Sequence, residues 1–143
     1  MSYAAKKLDE PSIPFCYKYQ NEKGQKFLVF NCIGKDSEKL LKHYANAKLI
    51  AENVEWLSGS KLPAFCYGNP NLYMQCKEDE KSTVIGLWNF FEDSAIEPTV
   101  QLGRSYQSVE FFSGSGALCK DTVKLEDIPP IGFCGMVLNK GDR

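Results

Sequence analysis

The sequence predicts a mainly β (α+β) protein, an antiparallel immunoglobulin-like β-sandwich preceded by a β-hairpin and one or two helices. Short segments rich in β-branched and aromatic residues recur between residues 72 and 138 at intervals of roughly 8–12 residues, which is typical of a sandwich. The longest of them, 83–91, is apolar at both odd and even positions, so both of its faces require cover. Before residue 60 the apolar residues take helical spacing instead.

The first element predicted along the chain is a hairpin with strands at 13–19 and 27–33. The turn Asn-Glu-Lys-Gly at 21–24 lies between them, and Gly24 can adopt a positive φ. The register is ambiguous by one residue, depending on whether Gly24 forms a bulge. Pro14 makes the first strand an edge strand or one that starts late.

Helical spacing then predicts a helix over 36–57, either continuous or broken into two near Asn46. Asp36 or Ser37 is a candidate N-cap, and Gly59 is a candidate C-terminal stop. The apolar stripe is formed by Leu40, Leu41, Tyr44, Ala45, Leu49 and Ile50. Because such a stripe is unstable in water, we expect it to pack on the hairpin, giving a hairpin-plus-helix unit over 12–60.

The remainder of the chain, 64–140, is predicted to be the β-sandwich. Clusters of Gly, Asn, Pro and Ser separate its candidate strands, and such residues favour turns. The candidate strands are 72–77, 83–91, 99–102, 108–112, 121–125 and 131–138.

Charge and length exclude some classes of partner. The 17 basic and 18 acidic residues are intermixed, so the basic stripe expected of a nucleic-acid-binding protein is missing. The apolar run at 83–91 is too short for a membrane span, which needs about 20 residues. The first residues lack the apolar core of a signal peptide, which favours a cytoplasmic protein, although in a fragment this would say nothing about export.

The six cysteines are interpreted as reduced, buried thiols. None forms a C-x-x-C pair, and most lie in strand-like segments beside aromatic or β-branched residues. A disulfide framework remains the alternative, since the number is even. With His43 as the single histidine, we expect no metal site and no cofactor.

Several short motifs, taken in order, carry a resemblance to a known family. The motifs are those at 21–29, 55–57, 62–64, 69–73 and 86–89, then Asp93 and Pro98, and finally 128–133. Together they resemble the C-terminal region of large bacterial glycoside-hydrolase-like proteins, in which a β-galactosidase-type barrel precedes a glutamine-amidotransferase-like domain and a terminal β-sandwich.

The resemblance implies a carbohydrate context and neighbouring domains of a longer chain as partners. Residues 12–60 would correspond to the tail of the amidotransferase-like domain, without its nucleophile. No catalytic residue carries over, because the acids of the barrel would lie upstream of this chain.

Candidate catalytic residues have simpler interpretations. Glu92, Asp93 and Glu97 could suggest the acid pair of a glycosidase, but a solvated turn that closes a strand is favoured, since nothing implies the apolar pocket such an acid needs. His43 with a cysteine could form a base–nucleophile pair, but it lies among polar residues of a predicted helix. No catalytic residue is therefore assigned.

A carbohydrate site is the leading functional hypothesis. Aromatic faces suit the C–H side of a sugar, whereas amide, carboxylate and guanidinium groups suit its hydroxyls. The candidate ligand-binding residues, expected around one strand end, are Trp88, Asn89, Asp93, Arg104 and Tyr106. The competing interpretation of Trp88 is that it packs in the core or between units.

The sequence thus predicts a non-catalytic, carbohydrate-associated β-sandwich module with carbohydrate binding as its candidate activity. The alternatives are a ligand-free accessory or assembly domain of a larger glycoside hydrolase and, after it, a small hydrolase. Exposure of Trp88 beside polar neighbours would favour binding, whereas burial would favour assembly.

Overall fold

A computed structural model describes residues 16–31, 43, 46–69 and 71–141, and in these the chain is mainly β. The described elements are β1 (Cys16–Gln20), β2 (Lys26–Phe30), α1 (Ala47–Ser58), β3 (Ala64–Tyr67), β4 (Leu72–Glu78), β5 (Ser82–Asn89), β6 (Thr99–Leu102), β7 (Ser108–Ser113), β8 (Gly116–Cys119), β9 (Thr122–Leu125) and β10 (Phe133–Asn139).

Eight of these strands form two four-stranded antiparallel sheets. Sheet I has the order β4-β5-β10-β7, and sheet II has the order β3-β6-β9-β8. The prediction of an antiparallel β-sandwich preceded by a hairpin and a helix is confirmed. The two layers form a β-sandwich, and their strand orders differ from the ABED and CFG sheets of immunoglobulin domains.

The core lies between the sheets and is built from alternate residues of each strand. In β5 the inward residues Ile85 and Leu87 are fully buried, as their alternation predicts. Val100 and Val123 of sheet II are also fully buried and belong to the same cluster.

In the hairpin, β1 and β2 pair from Cys16↔Phe30 to Gln20↔Lys26. The helix ends at Gly59, which has a φ of 71° and donates its N–H to the carbonyl of Glu55 at 2.9 Å. Lys26 Nζ donates to the carbonyl of Trp56 at 2.7 Å. A lysine of the hairpin thus provides a hydrogen-bond partner for a carbonyl in the last turn of the helix. The strand residues expected at 13–15 and 32–33, and the helix expected over 36–42 and 44–45, lie outside the described residues.

The structure contains two strands that the sequence does not predict, β3 and β8, and β5 ends two residues earlier than expected. The strand β3 has only four residues, and β8 begins at Gly116. A Cβ on Gly116 would collide with the backbone of Lys124 in β9. The glycine therefore allows β8 and β9 to approach closely at this point. The expected strand 83–91 ends at Asn89, whose side chain accepts the N–H of Phe91 at 3.1 Å.

Five of the six cysteines lie in described strands and are free thiols, and Cys32 lies outside the described residues. Cys66, Cys76 and Cys134 pack in or against the core. Burial raises the pKa of the Cys66 thiol to about 11 and also raises the pKa of Cys134. At neutral pH these two thiols therefore stay protonated and behave as small apolar side chains.

We expect Leu87→Ala to lower the free energy of unfolding by about 2–5 kcal/mol, because it opens a cavity in a fully buried position. Val84→Ala, at an exposed position on the other face of β5, should cost less than about 1 kcal/mol. Urea denaturation followed by circular dichroism measures both values. Equal effects for the two variants would contradict the assignment of inner and outer faces.

Candidate functional site

The five residues expected to form one site lie at opposite ends of β5. Trp88, Asn89 and Asp93 lie at its C-terminal end. The Tyr106 hydroxyl instead contacts Thr83 Oγ1 at 2.8 Å, near the start of the strand. Six residues of strand, roughly 20 Å, separate the two groups.

Arg104 lies near the start of β5, as Tyr106 does, and forms an ion pair with Glu78. Its Nη2 lies 3.3 Å from Glu78 Oε1, and Lys140 Nζ lies 2.7 Å from the same oxygen. The hydrogen bond from Lys140, and then the charge of Arg104, lower the pKa of Glu78. The expectation that Arg104 joins Trp88 in one sugar site is therefore corrected.

Asn89 is a structural residue at the sheet end. It is 1% exposed, and its Nδ2 donates to the carbonyls of Asp93, Ile128 and Pro129 at 2.7, 3.2 and 3.0 Å. Because its polar atoms are satisfied by backbone, Asn89 joins two loops rather than facing a ligand. Tyr106 is similarly buried, which corrects the expectation of ligand contact for both residues.

A row of four aromatic rings crosses the outer face of sheet I, with one ring from each strand. Tyr73 of β4, Trp88 of β5, Phe133 of β10 and Phe112 of β7 follow one another across the sheet. Successive ring centroids are 5.9, 4.8 and 6.1 Å apart. We call these four residues the aromatic row.

Two paired glycines lie beneath the aromatic row and make room for it. Gly86 of β5 pairs with Gly135 of β10. A Cβ on Gly86 would lie 2.6 Å from the Trp88 ring, and a Cβ on Gly135 would collide with the Phe112 ring. The rings therefore pack directly on the backbone of the two glycines. A larger residue at either position would displace them.

The ends of the row are open, and polar groups lie beside it. Tyr73 is 51% and Phe112 is 61% exposed, whereas Trp88 and Phe133 between them are half-buried. Gln75 Nε2 donates to the Tyr73 hydroxyl at 3.0 Å. Along the same face Asn139 Nδ2 donates to Glu110 Oε1 at 3.1 Å. The face thus offers apolar rings together with amide and carboxylate groups.

The residues considered for catalysis do not join this face. Glu92, Asp93 and Glu97 are exposed in the loop between β5 and β6, and His43 is exposed as well. In the described part of the chain, no three His, Cys, Asp or Glu side chains converge as metal ligands. The helix within these residues is also not long and apolar enough to cross a membrane.

Comparisons with protein-family models, with curated proteins and with solved structures found no match to this chain. The functional assignment therefore depends on the geometry of the aromatic row.

We expect Gly86→Ala to move the Trp88 ring away from the sheet, because the added methyl group occupies the position of the ring edge. In a Trp56→Phe background, which leaves Trp88 as the only tryptophan, its fluorescence emission should shift to longer wavelength as the ring meets water. Val84→Ala, at an exposed position on the same face of β5, serves as the spectroscopic control. An unchanged spectrum for Gly86→Ala would show that the ring does not lie over the glycine.

Proposed function

We propose that this chain is a non-catalytic β-sandwich module that binds carbohydrate through the aromatic row. The observation that carries the proposal is the row itself, in which four strands each contribute one ring above a glycine pair. Two partly exposed rings at its ends extend the surface across the full width of sheet I. Exposed apolar side chains grouped on one face commonly mark a binding site.

The ring faces would contact the apolar C–H surface of a sugar, and Gln75 and Glu110, each two residues along its strand from a ring of the row, would hydrogen-bond its hydroxyls. Each hydrogen bond made in competition with water contributes only about 0.5–1.5 kcal/mol. A shallow surface of this kind should therefore bind with a dissociation constant on the order of micromolar to millimolar.

The tilt of the rings bears on the form of the carbohydrate. Neighbouring rings are inclined to each other by 48°, 41° and 43°, so the row is corrugated rather than planar. Such a surface suits a single flexible glycan chain, whose sugar rings can turn independently. It suits a flat crystalline surface less well, because that would touch only the most prominent rings.

The resemblance of the sequence motifs to the C-terminal region of glycoside-hydrolase-like proteins supports a carbohydrate context. On this proposal the module would serve a longer chain whose catalytic acids lie elsewhere. Neighbouring domains of that chain would then be its protein partners.

A ligand-free accessory or assembly domain is the second candidate. The half-burial of Trp88 between Tyr73 and Phe133 favours it, because the largest ring offers only part of its surface. Under this alternative the aromatic row would be covered by another domain and would bind no glycan.

We expect Tyr73→Ala and Phe112→Ala each to weaken glycan binding by about tenfold, equivalent to about 1.4 kcal/mol, while the melting temperature changes little. Both rings are exposed, so their loss removes contact with the ligand rather than core packing. Binding is found on a glycan array and measured by calorimetry with the strongest ligand.

Tyr67→Ala is the matched control, since it removes a partly exposed ring of β3 in the other sheet. Glycan binding should be the same in this variant and the wild type. If the wild type binds no glycan on the array, the carbohydrate proposal is wrong and the assembly domain takes its place.

A further inference from the structure

Two loops form one end of the sandwich, next to the aromatic row. Residues 90–98 connect β5 to β6, and residues 126–132 connect β9 to β10. Ala95 and Ile128 join the loops through two backbone hydrogen bonds of 2.9 and 3.0 Å. We call these two segments the acidic loop end.

Four apolar side chains of this end point away from the fold. Phe90, Phe91, Ile96 and Ile131 are 61%, 49%, 63% and 71% exposed. Ile128, from the same loops, is 2% exposed, so the loops have an interior and these four residues do not belong to it. Several exposed apolar residues on adjoining loops are typical of an interaction surface.

Ile131 is held outward by a backbone conformation that its side chain disfavours. It follows Pro130 in a turn closed by the Gly132 N–H and the Pro129 carbonyl at 3.0 Å. Its φ of 51° is the left-handed value that glycine or asparagine usually supplies at this turn position. A β-branched residue is rare in this conformation. Because the side chain is exposed, burial does not offset the cost of the backbone conformation.

The charged residues of the two loops are all acidic, and Lys124 of the adjoining β9 lines one surface depression with Glu97, Glu126 and Asp127. The two loops contain Glu92, Asp93, Glu97, Glu126 and Asp127 and have no Lys or Arg. A second copy of the chain that docked the same surface on itself would bring these carboxylates face to face, which is unfavourable. An anionic membrane would be repelled for the same reason.

We propose that the acidic loop end is a docking surface for a protein whose apolar pocket is rimmed by Lys and Arg side chains. Ile131 is the anchor that enters the pocket, with Phe90 and Phe91 beside it. The carboxylates match the basic rim, which sets orientation and speeds encounter. This surface adjoins the aromatic row at Phe90, whose ring centroid lies 6.2 Å from that of Tyr73. Docking of the partner at this surface does not depend on carbohydrate binding by the row.

The test uses a phage-displayed library of random 12-residue peptides, selected on the wild-type protein after depletion on the empty support. Selected peptides should combine bulky apolar residues with Lys or Arg. Fluorescence anisotropy of a labelled synthetic peptide then measures its affinity for each variant.

Ile131→Asn should weaken peptide binding at least tenfold while the melting temperature stays equal or rises, because asparagine tolerates the left-handed conformation. Glu92→Gln/Asp93→Asn should weaken binding several-fold and reduce its dependence on salt. Tyr67→Ala, on sheet II, should bind as the wild type does.

The proposal is overturned if the selected peptides lack basic residues or bind Ile131→Asn equally well. It is also overturned if the melting temperature of Ile131→Asn falls, since Ile131 would then serve the fold. Loss of glycan binding in Ile131→Asn would instead make this end an extension of the carbohydrate site, against the proposal.

Discussion

Seven residues of β5 pair with seven of β10, from Ser82↔Asn139 to Trp88↔Phe133, and the rest of the sandwich depends on this pairing. On its inner side it places Ile85, Leu87 and Met136 in the core. On its outer side it places Gly86 opposite Gly135, which opens the space for the aromatic row. Side chains alternate along a strand, so a one-residue shift in the register of β5 and β10 would move the core residues to the outer face. It would also disrupt the aromatic row.

The same pairing also positions the acidic loop end. Where β5 stops, Asn89 donates its N–H to Gly132 at 2.9 Å, and its amide side chain holds three carbonyls of the adjoining loops. The two proposed surfaces therefore start from one rigid strand end, and loops on such a scaffold commonly carry function. The hairpin is joined to α1 in part by Lys26, which donates to the carbonyl of Trp56 at the helix end.

The strands with long apolar runs could be predicted from the sequence, whereas contacts between distant segments could not. β5 and β10 were recognisable from their apolar runs, but the four residues of β3 carry too short a pattern. Trp88 was identified as a candidate, but Asn89 was misinterpreted because the three carbonyls that it binds belong partly to a loop about 40 residues away. The patterns Gly86-Leu87-Trp88 and Phe133-Cys134-Gly135 contained the signal for the row, which becomes visible only once the register pairs their glycines.

Native-state hydrogen exchange tests most directly whether the β5–β10 pairing organises the molecule. The account predicts that interior amides of β5 and β10 exchange only through global unfolding and share the highest protection. Amides of the β1–β2 hairpin should exchange faster, because an isolated two-stranded sheet is marginally stable. Hairpin amides as protected as those of β5, or β5 amides that exchange faster than those of β3 and β6, would contradict it.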